Sequence, residues 1–100
     1  MKKKTSSILT RRQFQVFFLV CKGNEEDLVY HWLDLDQLID RMEKEMKAVV
    51  TKQAIQFPIR ELVEKGLIEK RPAEKRRSAR RRILAPTHAG RELMNRISAA

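Results

Sequence analysis

Residues 51–87 read TKQAIQFPIRELVEKGLIEKRPAEKRRSARRRILAPT, and this stretch decides the fold. Ile55, Ile59, Leu62 and Val63 keep the three-and-four spacing of a buried helical stripe. Thr51 is a capping residue type and Gly66 a stopping one. Pro58 falls inside, where a proline costs about 3 kcal/mol. The apolar phase nevertheless runs through it unbroken, which predicts one helix kinked near Ala54. Leu67-Ile68 and Ile83-Leu84 then bracket a basic run. Residues 67–71 and 80–85 are expected as antiparallel strands, residues 72–79 as the loop between them, and Thr87 as the cap of a last helix with the stripe Leu93, Met94 and Ile97. Residues 70–82 hold eight Lys or Arg against one acid, Glu74. Such runs are usually solvated faces or tails. Apolar pairs on both sides instead predict a folded hairpin with a cationic tip.

Upstream, Leu35, Leu38, Ile39, Met42 and Met46 give a helix over residues 35–47, capped by Asp34 or Asp36. Its other face carries Asp36, Asp40, Glu43 and Glu45 beside Arg41 and Lys44, the pattern of a solvated face and not of an acid/base pair. Residues 28–32, aromatic and β-branched, are expected as a short strand with Leu28, Tyr30 and Trp32 on one side. Thr10 caps a helix over residues 11–22 that Gly23 ends. Phe14, Phe17, Phe18 and Cys21 form its expected stripe, which makes Cys21 a small buried apolar residue. Residues 1–8 form a flexible basic arm ahead of a domain over residues 9–100.

One hundred residues suit a single domain with a modest core. The net charge is +9 and the charged fraction 35%, a field that favours polyanions. Residues 1–23 carry six bases and no acid, residues 24–46 eight acids and two bases, and residues 47–100 fourteen bases and five acids. The acidic middle should therefore face away from phosphate. A lone cysteine excludes a disulfide framework and any Cys/His zinc spacing, and His31 and His88 without partners make no metal site. No metal, cofactor or catalytic residue is expected: there is no nucleophile–base pair and, with three glycines, no phosphate-cradling loop. No apolar run is long enough to span a membrane. The Lys2–Lys4 cluster with Arg11-Arg12-Gln13-Phe14 resembles a twin-arginine export signal, but the apolar run after it is short, lacks a small-residue cleavage site and is needed as core. A cytoplasmic, nucleoid-associated protein is the expectation.

The element order is helix, strand, helix, helix, strand, loop, strand, helix. It predicts an α+β winged helix-turn-helix domain, mainly helical, with a small antiparallel sheet made of the wing hairpin and one short strand. In such folds the second helix of the pair presents its N-terminal side chains to base edges in the major groove. The DNA-contacting residues expected on the helix near 51–65 are Thr51, Lys52, Gln53, Gln56 and Arg60. Gln can pair with adenine, and Lys or Arg with guanine or phosphate. On the basic wing 70–82 they are Lys75, Arg76, Arg77, Arg80, Arg81 and Arg82, placed on backbone and minor groove. Lys2, Lys3 and Lys4 of the arm add affinity.

Leu9-Thr10-x-x-Gln13, Leu62-x-x-Lys65-Gly66-Leu67-Ile68 and Pro86-Thr87-x-x-Gly90 together resemble the landmarks of MarR-family transcriptional regulators, over roughly residues 9–95 of the chain. The resemblance implies a bacterial regulator that binds palindromic duplex DNA as a homodimer, often with a small phenolic or drug-like ligand. It also implies an Asp-x-Arg pair in the wing. Counted back from Thr87, Arg80 takes the Arg position, and Ser78 stands where the family has Asp. Two alternatives compete with duplex DNA. An RNA or ribosome binder would want exposed aromatics, whereas Phe14, Phe17, Phe18, Phe57, Tyr30 and Trp32 fall mostly on expected core stripes. An adaptor would dock a basic protein partner on the acidic helix 35–47.

Overall fold

The computed structural model describes residues 9–99; the arm lysines Lys2, Lys3 and Lys4 lie outside them. The elements are α1 (Arg11–Lys22), α2 (Leu35–Met46), α3 (Lys52–Glu64), β1 (Ile68–Arg76), β2 (Ala79–Pro86) and α4 (His88–Ala99). The fold is α+β: four helices and one two-stranded antiparallel sheet.

Local chemistry starts each helix where the sequence predicts. Thr10 and Gln13 form a reciprocal capping box on α1, and Asp34 and Gln37 do the same on α2, each satisfying two orphan backbone donors. Thr51 Oγ1 accepts the Ala54 N–H at 3.0 Å at the start of α3. Thr87 Oγ1 accepts the Gly90 N–H at 3.0 Å at the start of α4. Pro58 lies inside α3, which continues through it as one helix, and its ring is buried.

α1 is the centre of the core and packs against α2, α3, α4 and β2. This corrects the expected stripe. Val16, Phe17, Leu19 and Val20 are fully buried, while Phe14, Phe18 and Cys21 are only partly so. A single-stripe reading assumes one covered face, and a helix enclosed on several sides does not have one. Gln13, also buried, donates from Nε2 to Glu61 Oε1 at 2.5 Å and ties α1 to α3. Leu38 and Met42 of α2, and Ile55, Ile59 and Leu62 of α3, complete the helical core against Ile68 and Leu84 of the hairpin.

The third strand expected at residues 28–32 does not form. Asp27 Oδ1 accepts the N–H groups of Val29 at 3.0 Å and Tyr30 at 2.8 Å, and Asn24 Nδ2 donates to the Tyr30 carbonyl at 2.7 Å. These side-chain bonds take up the backbone groups that a sheet ladder would need. Leu28 is 95% exposed as a result. An isolated bridge to the hairpin forms two residues beyond it, between Asp34 and Ile83.

The hairpin, conversely, is longer than expected. Its strands consume the predicted loop, and only Arg77 and Ser78 turn, with φ of 52° and 65°. Positive φ at both central residues is the requirement of a two-residue type I′ turn. The register pairs Arg71 with Ile83 and Glu74 with Arg81, so β1 holds one extra residue at Pro72-Ala73. A proline, lacking an N–H, suits such a bulge. The closure between β1 and α4 is tight. The Thr87 hydroxyl donates to the Gly66 carbonyl at 2.5 Å, and the Thr87 N–H to the Leu67 carbonyl at 3.1 Å. Gly90 packs so closely on the Leu67 carbonyl that a Cβ there would collide with it.

Candidate nucleic-acid interface

Alternation along the hairpin sorts its cations. Successive side chains of a strand point to opposite faces, so Arg80 and Arg82 share one face of β2 and Arg81 takes the other. The two faces meet different neighbours.

On the Arg81 side, cations meet carboxylates. Asp34, fully buried at the cap of α2, accepts from Arg77 Nη2 at 2.9 Å and lies 3.7 Å from Arg76 Nη1. Arg76 Nη1 also donates to the Trp32 carbonyl at 2.8 Å and to Gln37 Oε1 at 3.0 Å, and its Nη2 donates to Glu74 Oε1 at 2.9 Å. Its guanidinium lies 4.8 Å over the Tyr30 ring. Arg81 pairs with Asp36, which also lies 3.4 Å from Lys52 Nζ, and the Nε of Arg81 has no acceptor among the described residues. Three residues expected to touch DNA thus make ion pairs within the fold, although Arg77 stays exposed. Arg76 is 4% exposed and Arg77 and Arg81 are held by acids. They fasten the hairpin to the start of α2. Asp36, expected on a solvated face, is part of that fastening.

On the other side the cations are unmatched. Lys75 stands directly across from Arg80 in the register, and Lys70 across from Leu84. Like charges opposite one another in a sheet repel. Among the described residues no carboxylate lies within ion-pair distance of Lys70, Lys75, Arg80 or Arg82. This face borders α3. A groove of about 300 Å³ between them is lined by Leu35 of α2, by Gln56 and Ile59 of α3 and by Lys70, Arg82 and Leu84 of the hairpin. A second depression, about 130 Å³, brings Lys52, Arg80 and Arg82 beside the Asp36–Arg81 pair.

The exposed surface of α3 continues this basic edge. Thr51, Lys52, Gln53 and Arg60 are exposed and Gln56 is half-buried at the groove. The structure thus brings Lys52, itself paired with Asp36, and Gln56 together with Arg80 and Arg82, sets Gln53 and Arg60 on the adjoining surface, buries Arg76, and pairs the exposed Arg77 and half-buried Arg81 with acids. Lys70 joins the set, although its place before the expected loop gave no reason to select it over its neighbours. Phe57, which the expected stripe of Ile55, Ile59, Leu62 and Val63 leaves out, is 60% exposed on the same surface. The helical wheel could have found it. Position 57 lies opposite Ile55, Ile59 and Leu62 once Pro58 is accepted inside one helix. Chemically, this is a concave cationic edge carrying amide and guanidinium donors, suited to binding an extended polyanion.

The other candidates carry less. Burial pushes the Cys21 thiol up to about 11, against a smaller opposing pull from Arg91, which leaves it protonated and a poor nucleophile. The acidic face of α2 is largely neutralised from within: Lys44 pairs with Asp40 at 3.0 Å, and Glu45 with Lys22 at 3.0 Å and Arg41 at 3.2 Å. Among the described residues no cluster of His, Cys, Asp or Glu has the makings of a metal site, and no helix is long and apolar enough to cross a membrane. No known protein family, no curated protein and no solved structure matches this chain.

Proposed function

We propose that the chain is a winged helix-turn-helix protein that binds duplex DNA and regulates transcription. In this reading α3 enters the major groove with Lys52, Gln53, Gln56 and Arg60 toward base edges and phosphates. The β1–β2 hairpin is the wing, and its Lys70, Lys75, Arg80 and Arg82 contact the backbone. The observation that carries it is the sorting of charge. The hairpin cations beside α3 are left without acidic partners, whereas those on the opposite face are consumed by Asp34, Asp36 and Glu74. A chain using its arginines only for solubility has no reason to separate them so. The order of the elements, with α2 and α3 as the helix pair and the hairpin directly after them, supports the same reading. The resemblance to MarR-family regulators supports it too, and brings with it the homodimer and a bacterial, cytoplasmic setting.

The test is a fluorescence-anisotropy titration of random duplex DNA at several salt concentrations. Engagement of six to ten phosphates weakens binding by about three to five decades between 50 and 200 mM salt. Absent or salt-independent binding contradicts the proposal.

One observation favours a second reading. Phe57 at 60% exposure and Tyr30 at 41% are aromatics open to solvent, and RNA binders stack bases on such rings. Competition between duplex DNA and a structured RNA separates the two: RNA displacing DNA at equal concentration would favour the RNA reading.

A further inference from the structure

We propose that Phe57 is a specificity-determining residue that packs against the C5 methyl of a thymine. This rests on the duplex-DNA reading above and adds what α3 selects.

The argument begins with position. Gln53, Phe57 and Arg60 stand at i, i+4 and i+7 of α3, one line along a helix. The residues turned the other way, Ile55, Pro58, Ile59 and Leu62, are buried. Phe57 thus occupies the middle of the exposed surface, one turn from Gln53 and one from Arg60. The residue is 60% exposed while α3 has a core stripe that is complete without it. Folding gives no reason for a phenyl ring there, and water opposes it.

The major groove supplies a partner. Each base pair shows donors and acceptors along that edge, and the one apolar group it presents is the thymine methyl, which Phe, Ala and the Thr methyl can contact. Gln53 and Arg60 carry hydrogen-bonding groups on either side of the ring, matched to adenine or guanine edges. A phenyl ring between them offers no hydrogen bond, so it discriminates by covering a methyl. The expected preference is a thymine placed between the base pairs that Gln53 and Arg60 reach.

The experiment uses duplexes enriched by the wild-type protein from a random duplex library. Each enriched duplex is remade with deoxyuridine in place of thymidine, which removes the methyl and leaves every hydrogen bond intact. Wild type should lose about fourfold in affinity per contacted methyl, the fold-change equivalent to the ~0.8 kcal/mol of one buried methylene-sized group. Phe57→Ala should bind the thymidine duplex more weakly and no longer distinguish it from the deoxyuridine duplex, while Phe57→Leu keeps the distinction. The ring is largely exposed, so both variants should show the wild-type circular dichroism spectrum. Enriched sites without thymine, no loss on removing the methyls, or an equal loss in Phe57→Ala overturns the role of Phe57 while leaving the DNA reading standing. Failure of the wild type to bind any duplex overturns that reading and this inference with it.

Discussion

Arg76 and Arg80 are four positions apart in one basic run and have opposite fates. Arg76 is buried over Tyr30 and donates to a backbone carbonyl, an amide and a carboxylate, whereas Arg80 is exposed with its Nη2 only 3.3 Å from the Ala73 carbonyl. Replacing Arg76 with alanine leaves the Trp32 carbonyl without its side-chain donor, removes one of the donors to Gln37 Oε1 and weakens the neutralisation of buried Asp34. It should destabilise the fold by about 2–3 kcal/mol. Arg80→Ala, at an exposed site, should change stability by no more than about 0.5 kcal/mol. Urea denaturation of the two variants checks the contrast, and equal effects would contradict it. The sequence could not make this distinction because composition is blind to strand alternation. The alternation is visible only if the turn is placed at Arg77-Ser78, and neither residue is the Gly, Asn or Asp that advertises such a turn. Phe57 was legible in principle from the wheel of α3, since it lies off the stripe of Ile55, Ile59 and Leu62.

At the scale of elements, the hairpin carries strain that its fastening offsets. Ser78 holds φ of 65°, a left-handed conformation costing an ordinary residue about 1–2 kcal/mol. Ser78→Gly removes that cost at the expense of unfolded-chain entropy of about 0.5–1 kcal/mol. A net gain of about 0.5–1 kcal/mol is expected, seen as a rise in Tm of several degrees for a domain of this size; a lower Tm would contradict the turn geometry. The junction of β1 with α4 behaves oppositely. Gly90→Ala would push a methyl into the Leu67 carbonyl, and overpacking of this kind costs about 1–3 kcal/mol, read as a fall in Tm. Helix starts and stops were legible because capping is local: Thr10, Asp34, Thr51 and Thr87 act on backbone donors within three residues. The strand expected at 28–32 was misplaced for the same kind of reason. Its propensity is real, but the Asp27 carboxylate just ahead of it captures two of the N–H groups. The stripe of α1 was off because a central helix has no single buried side, a property of the assembled core and not of the helix.

At the scale of the whole molecule, the charge balance of the chain takes on a spatial meaning. The acids of residues 24–46 have a structural part. Asp34 and Asp36 reach across to the hairpin and hold Arg76, Arg77 and Arg81. Acids and bases that lie far apart in sequence thus cancel on one side, and the excess of positive charge is left beside α3. The central claim is that this excess, on Lys70, Lys75, Arg80 and Arg82, is the phosphate-contacting edge. The most direct measurement is the salt dependence of duplex-DNA affinity for wild type, an Arg80→Ala/Arg82→Ala double variant and an Arg81→Ala variant. Losing two phosphate contacts should reduce the slope of log affinity against log salt by about 1.8, while Arg81→Ala should leave it nearly unchanged. A double variant with the wild-type slope, or an Arg81→Ala variant that loses as much, would contradict the sorting of charge as the basis of binding.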